Sequence, residues 1–212
     1  MTSSAGLSGN QKRKMKSASR LYAVQALFQM EHSSQSFDTV RKEFLEHRFG
    51  ASYDGQEMID GDIRHFADLL ETAVNYQAAI DQMTDRALVA KWAIARIDPT
   101  LRALFRAAGA ELRAQETPPR VVINEYVDVA RAFFEGGDEP KFVNAVLDHM
   151  AREARPEEFG AGQAQFIVYG RQRRTSERPD IFGLIFSGKC DGTTAAVLFY
   201  IPEDLYVQVG AR

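Results

Sequence analysis

The sequence is short of the residues on which disulfide-stapled, metal-dependent and membrane-spanning proteins rely. Among 212 residues there is one cysteine, Cys190, which excludes a disulfide within the chain and fits a reducing compartment. Four histidines, His32, His47, His65 and His149, are scattered without the paired spacing of metal ligands. Surface positions are expected for all four, with no metal and no other cofactor. Cys190 lies in a Gly-rich turn with no histidine beside it, which argues against a nucleophile. No stretch approaches the roughly 20 apolar residues of a membrane helix, and no apolar signal core follows the first basic residues. A cytoplasmic protein with no membrane partner is therefore expected. The most informative shortage is local: residues 1–30 contain no carboxylate at all.

That stretch does contain Lys12, Arg13, Lys14, Lys16 and Arg20. The whole chain is slightly acidic, with net charge −3 and pI near 5.9, so it is not built to coat a polyanion. A compact cationic segment still binds phosphate locally, because charges are screened beyond about 8 Å at physiological salt. Cations at the start of a helix oppose its dipole by roughly 0.3 kcal/mol each, so a purely structural helix would sooner place acids there. Phosphate contact explains the choice, and so does a solubilising tail. Charge alone leaves both open.

Residues 1–11 are small and polar and read as a disordered leader. A helical pattern starts at Ser17, with Leu21, Val24, Leu27 and Phe28 on one face. Ser36 caps a second helix, residues 50–61 with three glycines read as a loop, and Asp62 opens a third. Residues 80–96 read as helical with a break near Thr84. Asp98-Pro99 and Thr117-Pro118-Pro119 are start signals, and Gly136-Gly137 is a stop. Pro140 suits the first turn of a last helix that carries Val143, Val146, Leu147 and Met150 inward, with Pro156 beyond its end. Residues 17–155 thus predict about seven helices, no credible strand, and an all-α bundle or pair of bundles. Asn124 and Asn144 fall inside apolar helices and are expected to tie helix to helix through their amides.

After Phe159 the composition changes to short aromatic and β-branched runs, FIVYG, DIFGLIF, AAVLFYI and DLYVQV, which are strand-like. The division expected is a leader at 1–11, a helical domain at 12–159 and a β-prone or disordered extension of unknown role at 160–212. Residues 183–190, GLIFSGKC, have the spacing of a phosphate-cradling loop. Cys190, however, replaces the hydroxyl that holds Mg²⁺, and the intervening residues are bulky and apolar. Gly160-Ala-Gly162 lacks the third glycine of a dinucleotide turn and reads as a linker.

Four blocks resemble the NusB transcription antitermination family. They are SRLYAVQALF at 19–28, RIDPTLRALF at 96–105, PPRVVINEYVDVAR at 118–131, and KFVNAVLD at 141–148. The resemblance covers about residues 12–159 and implies an all-helical fold of two small bundles. It also implies binding of boxA RNA together with NusE, a small-subunit ribosomal protein, in an RNA polymerase antitermination complex that serves ribosomal RNA operons. No catalytic activity is implied. By position, Lys12, Arg13, Lys14, Lys16 and Arg20 are similar to the family's Arg-rich RNA-binding start, with Ser17, Ala18 and Ser19 where arginines are common. Asp138, Lys141 and Phe142 match a turn beside the RNA path, where a ring stacks on a base, and Phe28 belongs to the same set. The expectation is that the cations and an exposed Phe142 ring converge on one surface. Two alternatives are a NusB-like protein–protein module without RNA binding and the remnant of an rRNA methyltransferase N-terminal domain. For the second, about 53 residues beyond the bundle are too few for a methyl-donor domain.

Overall fold

The computed structural model describes residues 7–53, 56–88, 93–159, 184–190, 193–199 and 206–207. Seven α-helices dominate these residues: α1 (Gly9–Ser33), α2 (Phe37–His47), α3 (Ile63–Asn75), α4 (Gln77–Ala87), α5 (Pro99–Ala114), α6 (Pro119–Phe133) and α7 (Glu139–Ala154). Most starts follow the capping chemistry of the sequence. Ser36 accepts from the Thr39 amide, Asp62 from His65 and Asp98 from Thr100, while α5, α6 and α7 carry proline in their first turn. Gly136, at φ 71°, takes the left-handed turn between α6 and α7 that a side chain would resist.

The core is one continuous apolar cluster centred on α1 and α5. From Ala18 to Leu27 every residue of α1 is buried, so this helix is enclosed on all sides. Helices α2 and α3 pack on it from one half of the molecule, and α4, α6 and α7 surround α5 in the other. Gly109 lets α4 approach α5 closely, because a Cβ there would stand 2.4 Å from the Ile80 side chain. Tyr22, Phe44, Phe49 and Phe66 form an aromatic cluster under α2 and α3.

Several expectations are corrected. Helix α1 begins at Gly9, eight residues before Ser17, since Ser8 and Gln11 form a reciprocal capping box. The expected leader therefore gives up residues 9–11 to the helix. Residues 50–61 are not simply a loop: β1 (Ser52–Tyr53) and β2 (Gln56–Met58) pair antiparallel, Ser52 opposite Glu57. Strands of two or three residues are too short to show alternation, which is why none was legible. Thr84 does not break α4, because its hydroxyl bonds back to the Ile80 carbonyl at 2.9 Å within the helix. The helical reading to Arg96 stops at Ala87, and Ile94–Arg96 form a single 3₁₀ turn. Asn124 and Asn144 are exposed, so neither amide ties one helix to another. His65 is largely buried rather than a surface residue, with its side chain 11% exposed.

Beyond the helices, β3 (Leu184–Cys190) and β4 (Thr193–Phe199) form an antiparallel pair, and β5 (Tyr206–Val207) pairs with β2. An extended strand at 184–190 is incompatible with a phosphate-cradling loop in that segment. The FIVYG run and the Gly160–Gly162 linker lie outside the described residues. Among the described residues no helix is long and apolar enough to cross a membrane.

Candidate nucleic-acid interface

Before Ser17, α1 extends beyond the helices that enclose its middle. Lys12, Arg13, Lys14 and Lys16 are all exposed there, and among the described residues no carboxylate pairs with any of them. Ser8 Oγ accepts from the Gln11 amide at 3.2 Å, and the Gln11 side chain accepts from the Ser8 amide at 2.8 Å. The cluster is thus carried on formed helix instead of a loose leader. At its base the Asp62 amide donates to the Met15 carbonyl at 3.3 Å, and the Ser17 hydroxyl donates to Glu125 Oε2 at 2.6 Å.

Arg20 belongs to a different structure. It is 3% exposed, and its guanidinium is committed: Nε and Nη2 reach Glu111 at 2.9 and 2.6 Å, and Nη1 reaches Glu125 at 2.9 Å. The sequence pattern groups Arg20 with the exposed cations, but it faces inward and has no surface to offer a phosphate. Burial works against its charge, and the bidentate Glu111 more than restores it, so the guanidinium stays ionised. For Glu111 the same balance runs in reverse. Burial pushes its carboxyl up, and the hydrogen bond and charge of Arg20 outweigh this, holding it below the usual carboxylate range. Burial, with the Glu111 charge beside it, keeps the Tyr126 phenol well above its ordinary value. This cluster joins α1, α3, α5 and α6.

His65 stands at its edge, 3.7 Å from Glu111, too far for a hydrogen bond. Burial lowers its imidazole pKa; Glu111 opposes this, while Arg20 and Lys16 add to it. Its folded pKa lies below the ordinary 6.5, so below that pH the unfolded chain binds a proton the folded chain refuses. Stability is therefore present above about pH 6.5 and declines as pH falls through the window just below it. Denaturant titrations between about pH 7 and 5 are expected to show this slope, and His65→Gln to flatten it in that window.

The turn before α7 holds the other predicted residues. Asp138 and Lys141 are exposed and pair with each other at 2.9 Å. Phe142 is half-buried, its ring edge-on to Phe105 with centroids 6.0 Å apart. It is therefore less free than the exposed ring the sequence suggests. Phe28 is also half-buried and stacks on His32 at 4.1 Å. Contacts between α1 and α5 fix where these lie: Arg20 meets Glu111, whereas Glu31 meets Arg102 and Arg106, so the helices run antiparallel. Phe105, and with it Phe142, is thus level with Phe28. Lys16 precedes Phe28 by 12 residues, about 18 Å of helix axis. Lys12–Lys16 thus lie toward the N-terminal end of α1 and Phe28 toward its C-terminal end.

A second set of charged groups was not legible. Arg155 is 1% exposed and donates to the carbonyls of Glu111, Leu112 and Thr117, at 3.1, 2.8 and 2.6 Å, capping the end of α5. Glu31 joins Arg102 and Arg106, and Arg106 also holds Asp81, which links α1, α5 and α4. Their partners are 25 to 75 residues away in sequence, so no local spacing signals them.

Comparison with known proteins identifies the family. The NusB family model matches residues 17–152. The transcription antitermination protein NusB of Maricaulis maris is 47% identical over 147 residues, 69% of this chain and 91% of that protein. Its counterpart in Granulibacter bethesdensis is 45% identical over 162 residues, 74% of this chain and 98% of that protein. Among solved structures, T. maritima NusB superposes with a TM-score of 0.55 at 25% identity, over 72% of this chain and 99% of that one. The fold is also that of a chain in the crystal structure of antitermination factors NusB and NusE with dsRNA, with a TM-score of 0.54 at 23% identity, over 68% of this chain and 98% of that one. A family model spanning all seven helices after the basic segment, with relatives covered over most of their length, leaves one conclusion: the chain belongs to the NusB family.

Proposed function

We propose that the protein is a transcription antitermination factor that binds boxA-type RNA together with NusE, supporting transcription of ribosomal RNA operons. It acts as a cytoplasmic adaptor between RNA, NusE and the RNA polymerase antitermination complex, and not as an enzyme. The observation that carries this reading, beside the family, is the set of four exposed cations at one end of α1 that have no carboxylate partner among the described residues. Lysine and arginine in that setting neutralise backbone phosphates and release counterions. Phe28 and Phe142, level with each other farther along, supply apolar faces for unstacked bases, with Asp138 and Lys141 beside them. The RNA-binding unit is the helical domain ending at Phe159, and residues 160–212 are an extension to it.

The test is a titration of full-length protein with boxA RNA, with and without NusE, across a salt series. Binding that strengthens with NusE and weakens steeply with salt supports the reading. RNA binding absent under all conditions, with NusE still bound, would instead favour the protein–protein module.

Phe142 allows a finer check. Phe142→Leu keeps most of the packing on Phe105 and removes the stacking face. Stability is expected to change by less than about 1.5 kcal/mol, while RNA affinity falls by about 1–3 kcal/mol. Thermal melts and RNA titrations on the same preparation separate the two.

A further inference from the structure

The basic segment of α1 has little reason of its own to be helical. Its first turn carries no acidic residue, and Lys12, Arg13 and Lys14 follow, all exposed. Two isolated turns do not hold in water, because nucleation is unfavourable and packing supplies most helical stability. The segment is held from both ends. At the tip is the Ser8–Gln11 capping box. At the root, one carboxylate oxygen, Glu125 Oε2, receives both the Ser17 hydroxyl at 2.6 Å and Arg20 Nη1 at 2.9 Å. Glu125 comes from α6, so a different helix braces α1 where it leaves the body; the Ser17 hydroxyl also lies 3.2 Å from the Arg13 carbonyl of its own helix, and the Asp62 amide donates to the Met15 carbonyl. An acid at the foot of a phosphate-binding cluster would ordinarily repel the ligand. Here the Arg20 cation offsets it, leaving its role as a hydrogen-bond anchor.

We infer that Glu125, acting through Ser17, is a positioning residue for RNA: it fixes the bearing of the Lys12–Lys16 helix so that the cations are displayed in one arrangement before RNA arrives. The inference rests on the RNA-binding reading above. Apparent affinity then scales with the fraction of molecules whose basic helix is in place.

Ser17→Ala in the full-length protein tests this cleanly. Alanine is the better helix former, so if helix content alone mattered the variant would bind RNA as well as the parent or better. The positioning role predicts binding about three- to tenfold weaker. It also predicts an unchanged melting temperature and faster amide hydrogen exchange at residues 12–16 of the free protein. Glu125→Ala should weaken binding at least as much, and Glu125→Gln, which keeps an acceptor oxygen, should restore most of it. Parent-like or tighter binding by Ser17→Ala, or by Glu125→Ala, overturns the inference. Replacing all four cations with alanine separates the two levels. If that variant binds RNA like the parent, the RNA-binding reading of the segment fails. If it loses binding while Ser17→Ala does not, only the positioning role fails.

Discussion

Changing Lys12, Arg13, Lys14 and Lys16 together to alanine is expected to lower affinity for boxA RNA by about two orders of magnitude at about 0.15 M salt. Each cation that neutralises a phosphate of a single strand contributes about 0.7 to the slope of log affinity against log salt, so the slope should flatten by about 3. The fold should not suffer. All four side chains are exposed, and removing cations from the positive end of a helix relieves an unfavourable dipole interaction. Alanine also has the higher helix propensity. Stability unchanged or slightly raised, with RNA binding largely lost, is a combination that misfolding cannot produce. Loss of affinity with the slope intact would mean that the cations act on something other than phosphate.

The second large effect concerns the interior. Glu111→Ala is expected to destabilise the protein by about 3–5 kcal/mol, because it leaves the Arg20 guanidinium buried without its bidentate partner. Against total stabilities of about 5–15 kcal/mol for folded domains, that is a large fraction. Replacing both partners, as in Arg20→Met with Glu111→Leu, removes the stranded charge and should recover much of the loss. Chemical denaturation of the two variants gives the comparison directly. Acid should act through the same carboxylate. The folded pKa of Glu111 is depressed below the ordinary 4.5, so its contribution is complete above that pH and is lost as pH falls below it. The Arg20–Glu111 pair is thus a buried structural device next to the exposed basic segment of α1.

Arg20 also shows where sequence reading succeeds and where it stops. Helix starts depend on residues within three or four positions, so Ser36, Asp62, Asp98-Pro99 and Pro140 were legible as they stand. The inward row of α7 was legible for the same reason, since periodicity is local. The start of α1 was missed because Ser8 and Gln11 lie in a small, polar stretch that resembles a tail, and only their reciprocal hydrogen bonds distinguish it. Exposure is not local. Lys16 and Arg20 are four residues apart on one helix, yet the first is in solvent and the second meets carboxylates from α5 and α6. Nothing in a window around residue 20 announces Glu111 or Glu125. The same limit hid Arg155 and misplaced His65, whose environments are assembled from distant segments. Nor does a local window show that Phe142 packs edge-on against Phe105 of α5.

The claim on which everything else depends is that RNA meets this protein along a track from the N-terminal turns of α1 to the start of α7. Amide chemical-shift mapping of the full-length protein on addition of boxA RNA tests it most directly. The account predicts the largest changes at Lys12–Lys16, a second group at Phe28 and residues 138–142, and little at the outer faces of α3 and α4. Changes confined to α3 and α4, with residues 12–16 silent, would contradict it.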